Sequence, residues 1–335
     1  MSTEERPKKA TNIDQLRRVC RPEPLAGPAL DAFFVETDEG RDPHRKTRDT
    51  LGMALQDPSA SVLFFGHPGC GKSTEINKFL AERQQEFMPV QFSVLDELPP
   101  TNAQAEDLIL VIIERVLTKA KEAGIDLGDK RLEAIYKWFA DVTKSTSDAR
   151  DVGAEIGAGI DTASAPLGKM LGLFARFKGE VKYNAHSEET SVYHLRKRPA
   201  DLIDRANDLL RAFELALEDT PDAPQLLVIV EDMDKLDLKQ AYDIYVNNAN
   251  LLTGLAVRTV YTIPIYLFHS PDANAFRNRF TETIPLRMIK VVEPTPNSGG
   301  KRTEGFVTVR QIVFQRIAKD LIEKEALDLL IEQTG

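Results

Sequence analysis

Residues 63–77 read LFFGHPGCGKSTEIN, and the fold turns on this stretch. A short apolar run, Ser61 to Phe65, gives way to a glycine-rich turn and then to a helical pattern over residues 72–85. Gly66, His67, Pro68, Gly69, Cys70, Gly71, Lys72 and Ser73 match G-x-x-x-x-G-K-[ST] at every fixed position. The glycines let successive backbone N–H groups turn inward, and a helix starting at that point adds the positive end of its dipole, so the segment suits phosphate. Lys72 is expected to meet the β and γ phosphates of a nucleotide, and Ser73, followed by Thr74, to give its hydroxyl oxygen to Mg²⁺. Cys70 reads as a small filler and His67 as a tolerated loop residue.

The remainder of the chain bounds the setting of that loop. Its 335 residues are 42% hydrophobic and 28% charged, enough for one large globular domain or two smaller ones. A net charge of -9 argues against the broad basic face of a dedicated nucleic-acid binder. Cys20 and Cys70 stand far apart, which excludes a disulfide framework and a cysteine metal site. There is no signal-peptide pattern and no apolar run of about 18 residues, so a cytoplasmic protein without a transmembrane segment is expected.

Strand and helix patterns alternate along the chain, the signature of a parallel α/β sheet. Residues 1–40 read as an N-terminal arm or linker, its first 25 or so a mobile arm or latch, 41–295 as the core, and 296–335 as the start of a helical lid. Strands are expected at 61–65, 89–95, 225–230, 257–267 and 284–292, with helices at 105–123, 130–142, 199–217, 239–252, 306–318 and 324–333. EPTPNSGGKRTEG, residues 293–305, reads as a loop. A helical insertion spans about residues 125–200. Within 147–190 the small-residue-rich stretch is expected to pack on the domain, the sharper alternative being a partner or membrane contact through Leu167, Met170, Leu171, Leu173 and Phe174.

The chemistry needs carboxylates near the phosphate loop, and QLLVIV at 225–230 is followed at once by EDMDKL. Glu231, Asp232 and Asp234 thus come straight after the most β-like run in the chain. One acid would serve the metal and one the attacking water; Glu231 is assigned to Mg²⁺ and Asp232 to the water, with the reverse left open.

With both motifs in hand, the chain resembles P-loop ATPases of the AAA+ and STAND type, including the KAP-like group, over roughly residues 40–335. Their acidic run is commonly Asp-Asp-Leu-Asp-[Arg/Lys]-Leu, and Glu231 departs from it. The resemblance implies a P-loop NTPase fold: a five-stranded parallel sheet with one strand between the phosphate-loop strand and the acidic strand, a helical insertion between the two motifs, and a partial C-terminal lid. It also implies a γ-phosphate sensor at Thr262 and an intersubunit arginine in PDANAFRNRFTETIPL, with Arg279 the better match and Arg277 the reserve. In related sequences a Gly-Gly pair and an arginine follow the helices that close this chain, so a further segment bearing an effector region is expected after Gly335.

The expected function is an oligomeric Mg·ATP-dependent ATPase switch that controls a partner or effector, of the kind found in bacterial signalling and defence. Its expected partners are further copies of the chain and an effector. Alternatives are a nucleotide-gated scaffold with little turnover, and a DNA-associated AAA+ regulator using LRKRPADLIDR, residues 195–205, and the basic arm. No guanine-reading Asn-Lys-x-Asp run stands in a suitable place, which argues against a GTPase.

Overall fold

A computed structural model describes residues 6–144, 166–184, 191–220, 222–295 and 298–333. Five strands, β1 (Ser61–Phe65), β2 (Phe87–Ser93), β3 (Gln225–Glu231), β4 (Arg258–Ile263) and β5 (Glu282–Pro285), form one parallel sheet in the order β2-β3-β4-β1-β5. One strand, β4, therefore lies between β3 and β1. The residues from Leu226 to Glu231 are all buried, as are all six residues of β4, and burial on both faces is why Leu226 to Val230 read as an unbroken apolar run rather than an alternating one. In the β2–β3 ladder Ser93 pairs with Glu231, and in the β3–β4 ladder Val230 pairs with Tyr261.

Two strands are shorter than their patterns suggest, and proline is the reason. β4 stops at Ile263 because Pro264 has no N–H to continue the ladder. β5 stops at Pro285, after which the Leu286 N–H makes one more bond, to Phe65 O at 2.7 Å, before the chain turns away. The helix expected over 239–252 is broken into Leu238–Tyr242, a π turn at Asp243–Asn247 and Ala249–Thr253.

The chain divides into two compact units. The first comprises Met1–Met53, Phe64–Arg83 and Ile284–Gly335. It holds the helix Lys72–Glu82, short N-terminal helices, and the C-terminal helices Glu304–Arg316 and Lys324–Gln333. Phe306, Leu327, Ile331 and Val291 form a buried cluster under the C-terminal helices. The stretch read as a loop is an antiparallel hairpin, β6 (Val292–Thr295) and β7 (Ser298–Arg302), hidden from pattern reading by its turn-forming composition. The N-terminal arm is bonded to the end of the helix Glu304–Arg316. Ala10 gives its N–H to Arg316 O and accepts from Ala318 N, each at 2.8 Å, and Lys9 Nζ donates to Phe314 O at 2.7 Å.

The second unit comprises Ala54–Leu63 and Gln84–Thr283. Helices Asp129–Lys144, Pro166–Asn184 and Ser191–Arg196 lie within the expected insertion, after the helix Ala105–Ala123, while residues 145–165 and 185–190 of it lie outside the described residues. Met170, Phe174, Phe177 and Val181 recur at helical spacing and are all buried. Phe174 meets Phe139 edge-on at 5.0 Å and Phe177 at 5.5 Å between ring centres. The surface-contact alternative is thus corrected: Met170 and Phe174 are core, and Leu167, Leu171 and Leu173 are half-buried on the same helix. Arg196 locks the layer by a two-pronged bond to the fully buried Asp107, at 2.9 and 2.7 Å. Phe174→Ala should cost about 3–5 kcal/mol in a denaturant titration, because the rings around it leave a cavity they cannot fill. A loss below about 1 kcal/mol would mean that the layer is loosely packed.

Candidate functional site

In the first unit, Gly66 leaves β1 where no side chain fits. A Cβ there would lie 2.5 Å from Leu286 O and 2.8 Å from Cys70 Sγ. Gly69 and Gly71 have φ values of +77° and +98°, in the left-handed region that glycine adopts without strain. Gly71 is also the N-cap of the helix Lys72–Glu82, whose start carries no side-chain cap. The first turn of a helix is where backbone N–H groups turn towards an anion. Lys72 Nζ donates to Gly66 O at 3.1 Å and His67 O at 3.3 Å, so a buried ammonium sits within the curve of the loop.

The remaining loop residues fall on either side of that curve. His67, Pro68 and Gly69 are exposed, while Cys70 is buried against Gly66 and acts as filler. Ser73 and Thr74 are half-buried in the first turn of the helix. Thr74 Oγ1 accepts the Leu25 N–H at 3.1 Å, and Asn77 Nδ2 donates to Leu25 O at 2.9 Å.

Arg41 escaped the sequence reading. Its Nη2 donates to Cys70 O at 2.7 Å, its Nε to Thr37 Oγ1 at 2.8 Å, and its Nη1 to Arg287 O. Burial lowers the pKa of this guanidinium from its usual value. Thr37 in turn donates to Glu75 Oε1 at 3.0 Å, and Arg48 binds Glu75 at 2.8 Å together with Glu36 and Glu82. Burial works against the charge on Arg48, but its carboxylate partners more than offset it and its pKa is raised. The back of the glycine loop is thus braced by charge-assisted bonds.

In the second unit, the acids follow β3 as expected. Glu231 is 9% exposed and accepts a hydrogen bond from Gln91 Nε2. Asp232 leaves the strand with φ +62°, a left-handed conformation uncommon outside glycine and tolerated best by Asn and Asp. Ser93 Oγ donates to Asp232 Oδ2 at 2.7 Å, and Lys235 Nζ lies 2.7 Å from Oδ1. That hydrogen bond raises the Lys235 pKa above its ordinary value. Asp234 is half-buried in the 3-10 turn Met233–Lys235.

Thr262 is 1% exposed within β4; its oxygen accepts the Met233 N–H at 3.1 Å and its proton is directed to Val230 O at 3.4 Å. In this arrangement the hydroxyl ties β4 to the turn after β3. Arg277 and Arg279 are both exposed. Arg277 lies over the Phe268 ring at 5.2 Å, while the Arg279 side chain makes no ion pair among the described residues.

Gln91, Ser93, Lys235 and Arg41 are the site residues that pattern reading missed. The first two stand on β2, and only the β2–β3 register brings them to the acids. Among the described residues no group of three or more His, Cys, Asp or Glu side chains gathers as a metal cage. No helix of the described residues is long and apolar enough to cross a membrane. Comparison with protein-family models, curated proteins and solved structures finds no match to the chain.

Proposed function

We propose that the chain is an AAA+/STAND-like ATPase that binds and hydrolyses Mg·ATP, self-associates, and uses its nucleotide state to control a partner or effector, as in bacterial signalling and defence. The observation that carries this is the loop: Gly66 admits no side chain, Gly69 and Gly71 take left-handed conformations, and Lys72 sits inside their curve at an uncapped helix start. The strand order, with β4 between β3 and β1, is the one the resemblance implies and supports the same reading.

In this mechanism Lys72 leaves the Gly66 and His67 carbonyls for phosphate oxygens, and the N–H groups at the start of its helix take the remainder. Ser73 in the first unit, and Glu231 and Asp232 in the second, each carry oxygen suited to Mg²⁺, which would neutralise charge on the phosphates. Asp232 orients the attacking water and accepts its proton at a carboxylate oxygen, once Ser93 or Lys235 releases it. Arg279, exposed and outside any ion pair among the described residues, is the better placed of the two arginines to reach a neighbouring copy. Rate acceleration comes from positioning and electrostatics rather than from a covalent intermediate.

A scaffold with little turnover is favoured by one observation. Both oxygens of Asp232 hold donors, Ser93 Oγ and Lys235 Nζ, so a water must displace one of them before it can be activated. The DNA-associated alternative is weakened because Arg196, one of the cations it rests on, is committed to Asp107.

The deciding experiment measures binding and turnover of ATP and GTP with Mg²⁺, together with molecular mass, with and without DNA. Mg²⁺-dependent ATP turnover with a mass that rises on ATP addition is expected. Binding without turnover selects the scaffold, and absence of nucleotide binding overturns both.

A further inference from the structure

The helix after the acid turn contains a π turn, Asp243–Asn247, and one side chain of that turn reaches the acid machinery. Asn248 N–H bonds back to Asp243 O at 3.0 Å, five residues earlier. Asn247 Nδ2 and Asn248 Nδ2 hold the Asp243 carboxylate at 3.0 and 3.2 Å, so the irregular turn is stapled by its own side chains. Each residue of an α-helix advances about 100° around the axis, so the extra residue re-aims what lies within and after it.

Within the turn, Tyr245 is fully buried, and its hydroxyl donates to Thr262 O at 2.8 Å and touches Met233 Sδ at 3.3 Å. Burial raises its pKa well above the usual tyrosine value, so the phenol remains a donor. Thr262, held at its carbonyl by Tyr245, takes the Met233 N–H on its hydroxyl. Met233 follows Asp232, whose left-handed backbone persists only if its surroundings over-determine it.

We infer that Tyr245, aimed by the π turn, is a positioning residue: through Thr262 and the Met233 amide it holds Asp232 in the conformation that presents its carboxylate for water activation. The inference rests on the ATPase reading for what the carboxylate does, but the hold on the backbone is independent of that reading. The chain of contacts is short, buried and directional. Tyr245 fixes the end of β4, Thr262 fixes the first N–H of the 3-10 turn, and that N–H sets the peptide plane on the far side of Asp232.

Tyr245→Phe removes one oxygen and is compared with Tyr261→Phe. Tyr261 is also fully buried and donates to a backbone carbonyl, but to Leu252 O at 3.3 Å rather than to Thr262 O. In the whole chain without nucleotide, hydrogen exchange at the Met233 amide should quicken tenfold or more in Tyr245→Phe and less than twofold in Tyr261→Phe. Thr262→Val should match Tyr245→Phe, and Thr262→Ser should keep the protection. With Mg·ATP, Tyr245→Phe should lower kcat tenfold or more while ATP affinity stays within threefold. Should Tyr245→Phe not fold, Asn248→Ala, which removes a staple of the π turn, carries the same comparison. Equal Met233 exchange in the two tyrosine variants overturns the inference, as does a loss of turnover that only tracks ATP affinity. If the unsubstituted chain turns over no ATP, the ATPase reading falls and the exchange comparison alone decides whether Tyr245 holds Asp232.

Discussion

Lys72→Ala should weaken ATP binding by a hundredfold or more, with little change in folding. Charge-assisted hydrogen bonds contribute about 1.5–3 kcal/mol each, and the loss of two such bonds to phosphate corresponds to roughly two to four orders of magnitude in Kd. The fold should largely tolerate the change because His67 is exposed, so water can reach the His67 carbonyl that Lys72 leaves, and only the buried Gly66 carbonyl loses a donor. Titration calorimetry with Mg·ATP, alongside circular dichroism of the same sample, separates the two effects. ATP affinity unchanged in a folded variant would place nucleotide binding elsewhere than the glycine loop.

Asp232→Asn should retain ATP binding within a few-fold and lose turnover by about 10²–10⁴, the usual contribution of a positioned base. Asparagine is the informative replacement. It tolerates the left-handed backbone as aspartate does, and its carbonyl still accepts from Ser93, so the turn is kept while the charge and the basicity go. Alanine would strain the turn and confound the result. Glu231→Gln tests the division of labour between the two acids. If that variant alone abolishes turnover with binding intact, Glu231 rather than Asp232 activates the water. Steady-state phosphate release and nucleotide titration on both variants give the answer.

What the sequence discloses, and what it hides, follows from the physics of each feature. The loop Gly66–Ser73 was legible because its residue types are dictated by local backbone geometry: left-handed turns at Gly69 and Gly71, and a close approach at Gly66. β3 was legible because a strand covered on both faces has nothing polar to alternate with. The grip of Arg41 on the loop and of Ser93 on Asp232 joins residues distant in the chain, and one polar residue in a polar segment leaves no periodic trace. Pro264 and Pro285 were visible, yet the apolar residues beyond them extended the apparent strands. Met170 and Phe174 show the converse, since their helical spacing fitted a covered face and an exposed one equally until Phe139 was seen opposite. The π turn was invisible because helical periodicity has no term for one extra residue.

The unit that carries the glycine loop is assembled from three separated stretches, and the arm's Ala10 bonds to Arg316 and Ala318. During synthesis the sheet-and-insertion unit has all its residues once Thr283 has emerged. The loop's own unit must wait for the stretch after Ile284, although Gly66 to Ser73 were made long before. The order of manufacture therefore runs opposite to the order of the motifs. A nascent chain has every residue of the unit that carries its acids before it has those that complete the glycine loop's own unit, which include the helices Glu304–Arg316 and Lys324–Gln333.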